Sequence, residues 1–185
     1  IQIIGDIPIY VAFDSADAWA NPRLFRFDEN CNPIAVAGCP PDAFSATGQL
    51  WGNPLYDWAY HKRTGYQWWM KRMEACFERY AVVRIDHFRA FDAYYAITAG
   101  AQTAQNGAWE PGPGYGLFAA MQKKLGDRRV IAEDLGFLTA SVLELVKQTG
   151  YPGMKVLQFA FDSREESDYL PHNYPHNCVV YTGTH

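Results

Sequence analysis

Three features that would each assign a class of protein are missing from this sequence. No apolar run approaches the roughly 20 residues of a membrane-spanning helix, so we expect no membrane partner. The 16 lysine and arginine residues are outnumbered by 20 acidic ones, which leaves no basic footprint for nucleic acid. None of the four cysteines stands in a C-x-x-C pair, which argues against a zinc site or a redox motif. We therefore expect no metal, no cofactor and free thiols, as in a reducing cytoplasm.

Aromatic residues, by contrast, are abundant. They make up 16% of a chain of 185 residues, which is long enough for one domain with a sizeable core. A large core would explain this content, and so would a cleft in which flat ring faces stack on a ligand such as a sugar. The composition leaves both explanations open.

One short stretch in the middle of the chain combines an apolar strand with ionisable groups. Residues 82–91 read VVRIDHFRAF. In a regular strand, Arg84 and Asp86 lie on the same face. A neighbouring guanidinium favours the ionised form of a carboxylate, which suits a nucleophile better than a general acid. A purely structural ion pair would explain the same pattern.

The same pattern, a short apolar run with polar residues in it or directly after it, recurs four more times along the chain. Polar groups lie in or just after short apolar runs at residues 3–11, 129–136, 156–162 and 179–185. A (β/α) barrel presents its site in this way, at the carboxyl ends of its parallel strands. Together with the helical patterns between these runs, this order predicts a parallel α/β architecture.

The connecting segments give more specific predictions. Helical spacing predicts a helix over 57–80 that Gly65 breaks in two, and Thr139 and Gly150 bound a later helix. The long segment from Asp14 to Pro54, rich in Pro, Gly, Asn and Asp, predicts an excursion over the barrel mouth with short turns and a hairpin. Trp51 and Phe44 are its apolar tips, or simply pin it to the body. Residues 102–116 predict a Pro/Gly loop.

Two carboxylates at separate strand ends suit acid/base work on a glycosidic bond. A retaining mechanism needs a nucleophile and an acid/base about 5–5.5 Å apart. Asp86, beside Arg84, is the better nucleophile. Glu133 stands next to Asp134, and a like charge in a partly apolar site would raise its pKa, as a general acid requires. Enolase-like, aldolase-like and metal-dependent barrels place similar residues at strand ends, so spacing alone leaves these open.

Five motifs, taken together, resemble the consecutive signatures of the 4-alpha-glucanotransferase family, the amylomaltases or disproportionating enzymes. They are GDIPIYVA, PPDAFS…GQLWGNPLY, RIDHFRAF, AEDLG and YTGTH, and they run from Ile4 to His185. The resemblance implies a (β/α)8 TIM barrel with inserted subdomains, of which residues 1–185 cover about five of the eight strands, with 12–56 as an inserted lid-like segment. It also implies retaining transfer of an α-1,4-glucan segment to the 4-hydroxyl of another glucan or glucose, with maltooligosaccharides or α-glucans as partners.

The resemblance also implies residue roles by motif match. Asp86 takes the place of the nucleophile and Glu133 that of the acid/base. The other matched positions bind substrate: Arg84 and His87 in the donor subsite, Asp42 and Trp51 in a mobile loop that closes over the glucan, and His185 directly before the third catalytic carboxylate.

Three further expectations concern the chain as a whole. It starts without Met and ends directly after a predicted strand, so we expect a piece of a longer protein that is inactive and unstable on its own. Its location is predicted to be the cytoplasm, with a plastid as the alternative. The competing functions are an α-glucan hydrolase of the α-amylase type, an inactive glucan-binding fragment, and an unrelated barrel lyase.

Overall fold

The structure, a computed structural model, describes residues 1–42, 45–136, 138–161 and 167–184. The predicted loop tip Phe44 and the predicted site residue His185 lie outside these residues. The strands are β1 (Ile4–Ile7), β2 (Ala35–Cys39), β3 (Gln49–Pro54), β4 (Val82–Ile85), β5 (Ala93–Thr98), β6 (Gly107–Pro111), β7 (Val130–Ala132), β8 (Gly153–Val156) and β9 (Cys178–Tyr181). The α-helices are α1 (Ala16–Ala20), α2 (Trp58–Arg63), α3 (Gln67–Phe77), α4 (Tyr115–Leu125) and α5 (Ala140–Thr149).

Parallel strands form the part of the fold that carries the predicted site. β1, β4 and β7 make one parallel sheet in that order, and β8 pairs with β9 in parallel. The backbone N–H of Ala132 on β7 donates to the carbonyl of Pro152, just before β8, at 2.9 Å. These features confirm the predicted α/β class with parallel strands.

The two faces of the β1–β4–β7 sheet differ in chemistry because side chains alternate along each strand. One face belongs to the main buried cluster, together with apolar residues of α3, α4 and α5; its strand members are Ile7, Val83, Ile85, Val130 and Ala132. Burying each of the valine and isoleucine side chains contributes roughly 1.5–3 kcal/mol, which fixes the register. The opposite face is thereby left for the polar side chains of the strand ends.

The helix boundaries follow from local signals. The Asp57 side chain caps α2 by accepting the Tyr60 N–H at 2.8 Å. Gly65 and Tyr66 then adopt positive φ values of 62° and 54°, which separate α2 from α3 and confirm the predicted break. Thr139 caps α5, and Gly150 ends it in the left-handed region.

A second sheet is antiparallel and has the strand order β3–β2–β5–β6. The hairpin predicted before residue 56 is its β2–β3 half. The loop predicted over 102–116 is wrong for Gly107–Pro111, which is strand β6 and pairs with β5 through Tyr95 opposite Trp109. A Pro/Gly-rich segment becomes a strand here because β5 supplies a complete ladder partner.

No helix of the described residues has the length and apolar character needed to cross a membrane.

Candidate active site

Asp86 and Glu133 follow directly after two strands that are hydrogen-bonded neighbours. Ile85 at the end of β4 pairs with Ala132 at the end of β7. The Glu133 N–H donates to the carbonyl of Ile85 at 3.0 Å, which extends the ladder by one step. Because neighbouring strands lie about 4.8 Å apart, this register places the two carboxylates at adjacent positions. The two carboxylates are close enough to interact electrostatically, as the two carboxylates of a retaining glycosidase do.

Asp86 is held by the arginine two residues before it. Nη2 of Arg84 donates to Oδ1 of Asp86 at 2.8 Å, and Nη1 donates to Oδ1 of Asp6 on β1 at 2.6 Å. The prediction that Arg84 and Asp86 share a face is therefore confirmed. The Asp86 side chain remains 43% exposed, so one of its oxygens is accessible to a substrate.

Glu133 has a different environment. Burial raises its pKa, and the nearby Asp86 carboxylate raises it further. The backbone N–H groups of Leu135 and His87, which donate at 2.9 and 2.8 Å, and the charge of Arg84 act in the opposite direction. The net effect is a raised pKa, so the predicted direction is confirmed.

The predicted cause of that shift is only partly right. The like charge that raises the pKa of Glu133 is Asp86 on the neighbouring strand rather than the adjacent Asp134. The Asp134 side chain is buried, and its Oδ1 accepts the Met154 N–H on β8 at 2.7 Å. Asp134 therefore holds β8 against the end of β7, a pairing for which there is no local sequence signal.

His87 lies directly after Asp86 in a left-handed conformation, with φ 55°. Such a conformation is strained for a residue with a side chain, and it begins the buried 3₁₀ turn Phe88–Phe91. Burial, with a smaller contribution from Arg89, lowers the pKa of His87 to about 4. The imidazole is therefore neutral near pH 7 and can both donate and accept a hydrogen bond, which suits a sugar hydroxyl.

The β2–β3 hairpin reaches this site. The Trp51 ring on β3 meets the His87 ring edge-on, with centroids 4.8 Å apart, and is 37% exposed.

The far end of β2 also lies near the site. Burial raises the pKa of Cys39, at the end of β2, to about 11; the charges of Asp42 and Glu133 raise it further, and the charge of Arg89 lowers it. Asp42 itself is exposed, and its Oδ1 accepts the Ser45 N–H at 2.8 Å. The structure thus places Trp51 against His87 and Asp42 in the turn beyond Cys39.

Sequence reasoning missed the contribution of Asp6 and Met154. Asp6 is the register partner of Arg84 across β1 and β4, and the Met154 thioether accepts from Nε of Arg84 at 3.1 Å. Both contacts join residues far apart in the chain, so no local spacing could reveal them. The only sequence signal is that Asp6, like Asp86, is an acidic residue in an apolar strand.

No cluster of three or more histidine, cysteine or acidic side chains suited to a metal ion occurs within the described ranges.

A family model described as 4-alpha-glucanotransferase matches residues 1–185. The chain belongs to this family. It is 57% identical over 185 residues to a 4-alpha-glucanotransferase of Streptococcus pneumoniae and 55% identical over 186 residues to one of Clostridium butyricum. Both matches cover the whole chain, but only 37% and 38% of these relatives.

The fold has a solved counterpart. The structure of amylomaltase from Streptococcus agalactiae in complex with acarbose superposes with a TM-score of 0.96 and is 48% identical, covering all of this chain and 37% of that one. The chain therefore spans a little more than a third of the length of the proteins it matches.

Proposed function

We propose that the chain is the central part of the catalytic (β/α)8 barrel of a 4-alpha-glucanotransferase. β1, β4, β7, β8 and β9 would be five consecutive barrel strands of the eight. The common parallel direction of the paired strands supports this order, and so does the Ala132–Pro152 hydrogen bond between β7 and β8. The close superposition on an amylomaltase supports it independently.

The observation that carries the proposed reaction is the contrast between two adjacent carboxylates. Asp86 is partly exposed and bonded to a guanidinium, whereas Glu133 is more enclosed and has a raised pKa. Pairs of titratable groups with such different environments are typical of acid/base assignments. Asp86 would be the nucleophile, and Glu133 the acid and then the base.

The reaction would proceed in two steps with retention of configuration. In the first, an oxygen of Asp86 bonds to the anomeric carbon, the glycosidic C–O bond breaks, and Glu133 gives its proton to the leaving oxygen. In the second, Glu133 takes a proton from the 4-hydroxyl of an acceptor glucan, and that oxygen displaces Asp86 from the anomeric carbon. The acceptor glucan is thereby lengthened by the transferred segment. Asp86 is again a free carboxylate, and Glu133 is again protonated.

Transfer instead of hydrolysis requires that an acceptor sugar, rather than water, meets the covalent intermediate. The lid-like segment 12–56 supplies Trp51, whose ring packs against His87 beside Asp86. An aromatic face at this position would stack on a sugar and exclude water. Asp42 in the same segment, Arg84 and His87 would contact the glucan. The role of His185 and the location of the protein, cytoplasm or plastid, stay predictions.

The test uses the full-length enzyme. This term means the longer protein to which, under this proposal, the 185 residues belong. A chimera in which the 185 residues replace the matching segment of the Streptococcus pneumoniae relative serves the same purpose. Incubated with maltotriose, it should yield glucose together with maltopentaose and longer chains. Glucose and maltose alone would indicate a hydrolase, and unchanged maltotriose would contradict the proposed substrate.

The assignment of Asp86 has its own test. Asp86→Ala should abolish both transfer and hydrolysis, because neither can proceed without the covalent intermediate. An Asp86→Ala variant that still converts maltotriose would overturn the proposed mechanism.

A further inference from the structure

Arg84 bonds through all three of its guanidinium nitrogens, each to a different partner. Nη2 donates to Asp86 at 2.8 Å, Nη1 to Asp6 at 2.6 Å, and Nε to the Met154 thioether at 3.1 Å. The partners come from the end of β4, from β1 and from β8. Three directional contacts from three strands fix both the position and the plane of the guanidinium.

This arrangement prevents the pairing that an arginine and a carboxylate usually prefer. Their common geometry is bidentate, with two parallel N–H···O bonds to both carboxylate oxygens. Here only Oδ1 of Asp86 accepts from Arg84, because Nη1 is engaged by Asp6. Within the described residues, Oδ2 of Asp86 accepts no hydrogen bond.

The fold itself places one aspartate at each of the two terminal nitrogens of Arg84, with Asp6 at Nη1 and Asp86 at Nη2. Asp6 and Arg84 are direct register partners on neighbouring parallel strands, so their side chains emerge side by side on one face. Asp86 comes two residues after Arg84, directly beyond the end of β4, and its hydrogen bond to Arg84 places it on that face too. The Arg84 side chain is only 19% exposed, which leaves it little room to reorient while both carboxylates are present.

We propose that Asp6 is a positioning residue. By accepting the hydrogen bond from Nη1 of Arg84, it keeps one oxygen of Asp86 free for attack on the anomeric carbon. This inference rests on the proposed function, since it assumes that Asp86 is the nucleophile. Without Asp6, Nη1 is released and Arg84 closes on Asp86 as a fork that binds both oxygens. The attacking oxygen then has to break a charge-assisted hydrogen bond before it can bond to carbon.

The two half-reactions should respond differently to the loss of Asp6. A fork on Asp86 opposes attack, because it stabilises the free carboxylate. The same fork favours departure of the carboxylate from the covalent intermediate. Asp6→Ala should therefore slow formation of the intermediate and leave its transfer to an acceptor as fast as before or faster.

The experiment compares two donors in the full-length enzyme, maltotriose and α-maltosyl fluoride. Fluoride leaves without a proton from Glu133, but its displacement still requires attack by Asp86. For Asp6→Ala we expect the single-turnover rate of intermediate formation to fall by about 10- to 100-fold with both donors, and the donor concentration at half-maximal rate to change less than about threefold. Asp6→Asn, whose Oδ1 can still accept from Nη1, should recover most of this loss.

Two control variants separate this effect from others. Glu133→Gln should form the intermediate slowly with maltotriose and recover that rate with the fluoride, because the fluoride makes the first of its two proton transfers unnecessary. Asp127→Ala removes the same charge at an exposed position. Asp127 precedes β7 whereas Glu133 follows it, so this variant should leave the rates with maltotriose and with the fluoride unchanged. If Asp6→Ala does not fold, as judged by its thermal unfolding, Asp6→Ser takes its place with the same expected loss.

The outcomes distinguish the two proposals. If Asp86→Ala is inactive but Asp6→Ala keeps more than about a tenth of the wild-type rate of intermediate formation with both donors, the role of Asp6 is overturned and the proposed function stands. The same conclusion follows if Asp6→Ala is rescued by the fluoride, since its defect would then lie in proton transfer. If Asp86→Ala stays active, the proposed function fails as well.

Discussion

The Glu133 side chain accepts a hydrogen bond from the backbone N–H of His87 at 2.8 Å, so the candidate acid/base is tied to the residue directly after the candidate nucleophile. The bond uses Oε2, while Oε1 accepts from Leu135 in the turn that follows Glu133 itself. The position of the Glu133 carboxylate is therefore set by two backbone N–H groups rather than by a free choice of rotamer. Such preorganisation is what a two-carboxylate mechanism requires.

The pH dependence of the full-length enzyme should report on Glu133. Because burial raises its pKa, the acid form persists to higher pH, and the alkaline limb of kcat/KM should lie above the ordinary value of about 4.5. Glu133→Gln should lower kcat/KM for maltotriose by about 10²- to 10⁴-fold and abolish this limb. Glu144→Gln, at an exposed site on α5, is the matched control. An alkaline limb that survives in Glu133→Gln would contradict the assignment.

Replacement of Trp51 should change the ratio of products. Trp51→Ala removes the ring that packs on His87 and opens the site to water, so hydrolysis should take a larger share of turnovers. Hydrolysis creates new reducing ends and transfer does not, whereas both release glucose from maltotriose, so new reducing ends divided by glucose released measures the share of hydrolysis. Trp19→Ala, at a tryptophan that is 85% exposed on α1, should leave the ratio as it is. Equal ratios in Trp51→Ala and wild type would refute the water-excluding role.

Gly153 should tolerate no side chain, because a Cβ there would lie 2.3 Å from Oδ2 of Asp134. Gly153→Ala must displace Asp134 and weaken its bond to Met154, so the free energy of unfolding should fall by roughly 1–3 kcal/mol. Gly116, inside α4, is the control, since the nearest atom to its Cβ would be the Tyr66 hydroxyl at 3.6 Å. Gly116→Ala should be neutral or stabilising by about 0.5–1 kcal/mol. Thermal unfolding of both variants checks the contrast, which equal effects would contradict.

His61 should make stability depend on pH. Its side chain is fully buried, and burial lowers its pKa to about 4 from an unfolded value near 6.5. Between these values the unfolded chain binds more protons, so stability should be full above pH 6.5 and fall by on the order of 3 kcal/mol towards pH 4. His87, with a similarly lowered pKa, acts in the same direction.

The contribution of His61 is isolated by comparing pH slopes rather than absolute stabilities. His61→Gln should flatten the fall between pH 6.5 and 4 measured by denaturant unfolding, even if the variant is less stable throughout. His172→Gln, at an exposed position, should keep the wild-type slope. Parallel slopes for His61→Gln and wild type would exclude His61 as the cause.

The 185 residues produced alone should be inactive and prone to aggregate. In the described part of the chain, β1 pairs only with β4 and β9 only with β8, so each leaves one ladder edge open. Large apolar side chains near these edges and the adjoining turns are exposed: Ile3, Ile4, Phe161 and Val180. Open apolar edges template association between chains. A soluble monomer with one cooperative unfolding transition would show that this expectation is wrong.

Local signals in the sequence were sufficient for the helices and for part of the site. Gly65, Thr139 and Gly150 predict helix boundaries because capping and left-handed turns depend on residues a few positions apart. The shared face of Arg84 and Asp86 follows from strand alternation alone. These are all short-range relationships.

Long-range pairing explains what the sequence could not reveal. The sequence of strand β6 predicts a loop, because the strand is stabilised by its pairing with β5, which in turn pairs with β2. The partner of Asp134 is a backbone N–H on β8, and that of Asp6 is a side chain on β4. In each case the deciding contact depends on strand order and register, which no local pattern encodes.

The pairing of β2 with β5 has a consequence for the order of folding. The chain between these strands contains α2, α3 and β4, so the antiparallel sheet closes a large loop around them. Closing such a loop costs less entropy once its interior is already folded. The hairpin that carries Trp51 should therefore acquire its final position late, after the strand that carries Arg84 is in place, and a ribosome would release β2 and β3 well before their last partner exists.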